Sequence, residues 1–156
     1  MKIRRSCSGA HHFDRDSGLN ILFDEISYSP DEWDVAPRFV SFAITNACEL
    51  QCPFCYAPKT PASRSLEQVL EWTRQLDTAG ALGVGLGGGE PSAHPLFLEM
   101  CRAISRDTRL AVSFTTHGHR MTERLASQLR GEVHFVRLSV DGVGHTYERL
   151  LSLLHT

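Results

Sequence analysis

An α/β fold built on a parallel sheet is predicted by three observations. From residue 38 onward strand-like and helix-like segments alternate, their connections are of ordinary length, and polar or glycine-rich residues recur just after each strand-like segment. In such sheets the loops that follow the strands gather at one rim, so residues far apart in sequence meet there. That rim is where chemistry is expected.

Each element has its own signal. Residues 11–23 read as a short hairpin turned by Asp16-Ser17-Gly18. His11 and His12 within it are taken as solvated strand residues, because nothing nearby completes a ligand set. A polar, proline-marked linker over 29–37 then separates this extension, residues 1–37, from a core of residues 38–156. The first core strand, 38–45, is β-branched and aromatic, and Pro58 and Pro61 close the loop behind it. Ser65-Leu66-Glu67-Gln68 is a capping box, followed by Leu66, Val69, Leu70, Thr73 and Leu76 at helical spacing, with Gly80 as the stop. A short apolar strand over 81–86 ends in Gly87-Gly88-Gly89-Glu90-Pro91, and a helix over 94–105 carries Phe97, Met100, Cys101 and Ile104 on one face. A third strand, 110–114, runs into Thr115-Thr116-His117-Gly118, after which Thr122 caps a helix ending near Gly131. The fourth strand, 133–140, runs into Asp141-Gly142, and a last helix places Tyr147, Leu150, Leu151 and Leu154 on one face. No internal repeat or low-complexity tract is present.

Composition narrows the function classes. A chain of 156 residues and 17.4 kDa is one domain's worth, long enough to bury roughly 70% of its unfolded surface. A net charge of −2 with 22% charged residues provides no basic field, so nucleic acid is not an expected partner. Met1-Lys2-Ile3-Arg4-Arg5 has the basic start of a signal peptide but no apolar stretch behind it. No run approaches the roughly 18 apolar residues of a membrane span. Cys7 sits in a polar leader, Cys101 on an apolar helix face, and the remaining three cysteines cluster, which is no disulfide framework and fits a reducing cytoplasm.

Those three, Cys48, Cys52 and Cys55, are spaced C-x3-C-x2-C in the loop after the first core strand. Structural zinc sites take four protein ligands, usually as two separated pairs, and no second pair is present downstream. A local run of soft thiolates suits an iron–sulfur cluster better, and three ligands leave one iron open for a cofactor or substrate. A zinc knuckle, or three thiols that merely lie close, is the plainer alternative.

At these residues the chain resembles the radical S-adenosylmethionine superfamily, in particular its branch that matures peptides and cofactors. The resemblance rests on the cysteine spacing with Phe54 before the third cysteine, on Thr45-Asn46-Ala47-Cys48 leading in and Cys55-Tyr56 leading out, and on the Gly88-Gly89-Glu90-Pro91 motif after the second strand. It implies a 4Fe–4S cluster on Cys48, Cys52 and Cys55 whose open iron is chelated by S-adenosylmethionine. It also implies one-electron cleavage of that cofactor to a 5′-deoxyadenosyl radical, which abstracts hydrogen from a substrate, with electrons from an external flavodoxin- or ferredoxin-like donor. Gly88 and Gly89 would let the backbone approach the methionyl group, and Glu90 would orient its ammonium. Phe54 would pack beside the adenine, and Ser139 and Asp141 match residues that bind the ribose. The strand end and Asp-Gly turn are the structural reading of that last pair.

The implied fold is a partial (β/α) TIM-like barrel with an N-terminal β-hairpin extension. About four βα units of the family's six are present, so the chain is expected to be a truncated product, half of a split enzyme completed by a second chain, or a fragment. An iron–sulfur binding module without turnover is the competing function, and the substrate, a peptide or cofactor precursor, is unknown. Two further departures stand out. Thr116-His117-Gly118 occupies the place of the family's common Thr-Asn-Gly, and Gly83, Gly85 and Gly88 also satisfy a dinucleotide fingerprint. The fingerprint reading fails because Gly83 and Gly85 lie inside the strand and Pro91 interrupts the segment after it.

Overall fold

The computed structural model describes residues 1–52, 55–58, 60–140 and 145. Two sheets lie among the described residues. The first is an antiparallel meander of β1 (Lys2–Ser6), β2 (Gly9–Phe13) and β3 (Asn20–Phe23). The second is four-stranded, in the order β4 (Phe39–Thr45), β5 (Gly83–Gly88), β6 (Ala111–Thr116) and β7 (Phe135–Leu138), with every neighbouring pair parallel. Helices α1 (Leu66–Thr78), α2 (Phe97–Asp107) and α3 (Glu123–Leu129) connect consecutive strands. The chain is therefore an α/β protein with the parallel sheet and strand–helix alternation expected of a partial (β/α) barrel.

Local chemistry accounts for the helix starts. Ser65 Oγ accepts from the Gln68 backbone N–H while the Gln68 side chain accepts from the Ser65 N–H, completing the expected box at α1. Thr122 accepts from the Leu125 N–H at α3. The expected last helix lies outside the described residues.

The core lies between one face of the parallel sheet and the helices. Ile44, Val84, Leu86, Val112 and Phe114 pack against Val69, Phe97, Met100 and Ile104. Each such side chain, removed from water, stabilises by about 1.5–3 kcal/mol. Cys101 is among them; burial pushes its thiol up to about 12, which keeps it an inert core residue. On the opposite face the same strands carry small residues, Ser41, Ala43, Gly85, Gly87, Ser113 and Thr115. A Cβ at Gly83 would meet the Phe39 ring at 2.6 Å and one at Gly85 the Ser41 hydroxyl at 2.6 Å, so these two glycines permit close packing.

The expected hairpin is present as β2 and β3, and a preceding strand, β1, joins it. Strand β1 was hidden because its inward residues are cations, Lys2 and Arg4, which are buried. Their partners come from the end of α1: Lys2 donates to the Asp77 carbonyl (3.0 Å) and carboxylate (2.5 Å), and Arg4 to the Gly80 carbonyl at 3.1 Å. Arg15 likewise donates to the Thr108 and Leu110 carbonyls behind α2, at 2.9 and 3.1 Å. Cations at helix C-termini satisfy orphan carbonyls and oppose the helix dipole. His11, expected in solvent, is instead buried against Asn20 of the adjoining strand. Phe13 completes the contact by packing with Leu82 and Ala111 and edge-on against Phe39. The meander thus meets the sheet where its strands begin.

Candidate functional site

At the other end, where the strands finish, the cysteine loop starts and returns on the same anchor. The Asn46 N–H donates to the Ala62 carbonyl (2.8 Å), the Asn46 amide to Thr60 (3.0 Å), and the Arg64 N–H to Ile44 (2.8 Å). A one-residue bridge pairs Thr45 with Ser63. The loop's two feet are therefore fixed while its cysteines project between them.

Strand β5 runs two residues further than its apolar run suggested, to Gly88, because its ladder continues to Thr45. Gly88 has φ +123°, and a Cβ there would lie 2.1 Å from the Thr45 carbonyl oxygen. Gly89 comes as close, its Cβ position being 2.3 Å from the Ala47 oxygen. The Gly89 N–H then donates to Thr45 (2.8 Å) and the Glu90 N–H to Ala47 (2.7 Å). In this structure the two glycines dock the second loop onto the stem of the cysteine loop.

Glu90 is 1% exposed. Its Oε1 accepts from the Ser92 N–H (3.1 Å), the Ser92 hydroxyl and the Thr116 hydroxyl (2.8 Å), and its Oε2 from the His117 N–H (3.0 Å). One carboxylate thereby joins the loops after β5 and β6, and the geometry leaves Oε2 with spare acceptor capacity. His94, also buried, accepts from the Leu96 N–H on Nδ1, and its Nε2 stands 3.0 Å from the Arg64 carbonyl, tying the turn behind Glu90 to the returning foot of the cysteine loop.

His117 reaches across the rim. A ring nitrogen of His117, the Cys48 sulfur and a Glu49 carboxylate oxygen lie within 4.8 Å of one another. His117 Nε2 is 3.3 Å from Glu90 Oε2 and 3.6 Å from Glu49 Oε2. The Cys48 sulfur also accepts from the Leu50 N–H at 3.4 Å. Cys52 is half-buried and Cys55 exposed; both stand outside the Cys48–Glu49–His117 group, joined by a Cys55 N–H bond to the Cys52 carbonyl at 3.1 Å. Three free thiols on one anchored loop, beside a buried ring nitrogen that lacks a hydrogen-bond partner among the described residues, fit a thiolate-held cluster.

The structure brings Cys48, Gly88, Gly89 and Glu90 to one rim. Ser139 stands there too, exposed, its N–H donating to the Thr116 carbonyl at 2.9 Å. Phe54 and Asp141 lie outside the described residues. Sequence reasoning did not find Ser92, His94 or the role of Thr116, and it marked His117 only as a departure from the family's pattern. The Thr-Thr-His-Gly run at the end of β6 was the available signal, but its partner Glu90 is 26 residues away.

Comparison with known proteins agrees with this architecture. A family model, Radical SAM superfamily, matches residues 42–153. The mycofactocin maturase of Mycobacterium tuberculosis is 30% identical over 111 residues, 69% of this chain and 28% of that protein. The PqqA peptide cyclase of Ruegeria pomeroyi is 30% identical over 119 residues, 73% of this chain and 32% of that protein. The chain thus spans about a third of the length of these relatives. The crystal structure of Streptococcus suis SuiB bound to the precursor peptide SuiA superposes with a TM-score of 0.66 at 14% identity, over 96% of this chain and 48% of that one, which is a likeness of fold.

Proposed function

Because the chain belongs to the radical SAM superfamily, we propose that Cys48, Cys52 and Cys55 hold a 4Fe–4S cluster and that the adjoining rim binds S-adenosylmethionine for reductive cleavage. Membership in the family implies both cofactors. When bound, they supply one-electron cleavage of the sulfonium carbon–sulfur bond, the source of a hydrogen-abstracting radical. The observation that carries this reading is the docking of the Gly88-Gly89-Glu90 turn onto the stem of the cysteine loop, which fixes the two motifs relative to each other.

The chain's own residues have separate tasks. The anchored loop presents three cysteine sulfurs. Glu90 Oε2, which accepts one hydrogen bond from the His117 N–H, is proposed to accept another from the cofactor's ammonium, while the carboxylate's other contacts hold the loop after β6. Ser139 and Asp141 are proposed for the ribose, and Phe54 for the adenine. The small-residue face of the sheet, with Ser41, Gly85 and Ser113 in register, leaves space for a substrate. A peptide substrate is proposed on the names of the peptide cyclase and of the peptide-bound neighbour. An external electron donor completes the reaction.

A second reading, an iron–sulfur module that turns over only when another chain completes the barrel, is favoured by β7. Among the described residues β7 pairs only with β6, and Phe135 and Val136 on it are exposed. Anaerobic incubation with S-adenosylmethionine and strong reductant separates the two. Release of 5′-deoxyadenosine by the chain alone supports the first reading; a stable cluster without release supports the second.

A further inference from the structure

His117 occupies the position where the resemblance leads one to expect asparagine, and its geometry is specific. Its Nδ1 accepts a hydrogen bond from the His119 backbone N–H at 3.1 Å. The hydrogen-bond network therefore assigns the ring proton to Nε2. That Nε2 is buried and has no hydrogen-bond partner among the described residues, since the two carboxylates beside it are off the N–H direction or too far. A buried donor left without an acceptor costs about 1–3 kcal/mol, so its retention needs a reason. The backbone N–H of His117 is fastened to Glu90, and its ring Nδ1 to the His119 N–H. The sulfur of Cys48 lies within 4.8 Å of a ring nitrogen.

We propose that His117 Nε2–H donates a hydrogen bond to sulfur of the cluster held at Cys48, and thereby sets the cluster's reduction potential. This rests on the cluster assignment made above. Hydrogen bonds to cluster sulfurs stabilise the more negative, reduced state and raise the potential. Glu49 and Glu90, both beside this ring, act in the opposite sense by opposing added negative charge. His117 is thus a positioning residue placed to offset two carboxylates that the anchored loops bring next to the redox centre.

The test uses the full chain, reconstituted anaerobically with iron and sulfide, carrying ¹⁵N-histidine, and examined by pulsed EPR after reduction without S-adenosylmethionine. A weak ¹⁵N coupling with an exchangeable proton is expected, lost in His117→Leu and kept in His119→Ala. Potentiometric titration should show a more negative midpoint in His117→Leu and partial recovery in His117→Gln, which retains an N–H donor. If His117→Leu does not assemble, the spectrum of the wild-type chain and the loss of its ¹⁵N signal in His117→Gln decide alone. A cluster with no histidine coupling overturns the proposal, as does a coupling strong enough for a direct iron–nitrogen bond, or one that appears only once S-adenosylmethionine is added. Failure of the wild-type chain to form any cluster removes the underlying assignment as well, and is a different observation.

Discussion

The two ends of the parallel sheet are built from opposite materials. Where the strands begin, Phe13, Leu82 and Ala111 pack together, and Lys2, Arg4 and Arg15 close the ends of α1 and α2. Where they finish, the contacts run through glycine backbone, one buried carboxylate, threonine and serine hydroxyls and a histidine ring. The first end is held by apolar burial and charge-assisted bonds whose loss lowers stability. The second is held by directional hydrogen bonds whose loss moves a ligand. Stability and chemistry are therefore separable in this molecule, and substitutions at the two ends should give different phenotypes.

Gly88→Ala should have the largest effect on the site. It places a methyl group on a residue with φ +123° and 2.1 Å from the Thr45 oxygen, so the stem of the cysteine loop must move. Cluster content after reconstitution should fall to near zero, measured by iron and sulfide analysis, while far-ultraviolet circular dichroism stays close to wild type. A normally loaded Gly88→Ala chain would show that the docking of the two loops is dispensable.

Phe13→Ala should do the reverse. Removing a ring that is 2% exposed costs roughly 3–5 kcal/mol. Chemical denaturation should register that loss, and the fraction of folded chain that binds a cluster should be unchanged. Equal damage to cluster binding would mean that the two ends are coupled.

The smallest effect is expected from His134, which immediately precedes β7. Its Nδ1 accepts from the Val112 N–H at 3.0 Å, and burial, helped by Arg15, holds its pKa below the ordinary value of 6.5. The neutral ring is therefore the one the fold prefers. Its contribution is complete above the unfolded value and declines as pH falls through the lowered one. Thermal midpoints between pH 7 and pH 5 should fall less in His134→Gln than in wild type, and parallel curves would contradict this.

Legibility in the sequence divides along the same line between local and distant contacts. The helix starts at Ser65 and Thr122, the four parallel strands and the cysteine loop were legible because their signals are local. Strand β1 was not, since Lys2 and Arg4 face inward only because the end of α1 receives them, about 75 residues later. His11 was misplaced for a similar reason: its partner, Asn20, sits on the neighbouring strand. The end of β5 was drawn short because glycine carries no strand preference, and the ladder to Thr45 is a tertiary fact. His117 was visible as a departure from a pattern, yet its proximity to Cys48 exists only in the folded chain.

The loop after β4 is proposed to carry a cluster with one iron left open to a cofactor. Mössbauer spectroscopy of the ⁵⁷Fe-reconstituted chain, with and without S-adenosylmethionine, tests it most directly. The expected result is a 4Fe–4S cluster in which one iron changes its parameters when the cofactor is added, absent in Cys48→Ala, Cys52→Ala and Cys55→Ala and intact in Cys7→Ala and Cys101→Ala. Stoichiometric zinc without sulfide, or a cluster whose four irons all ignore the cofactor, would contradict it.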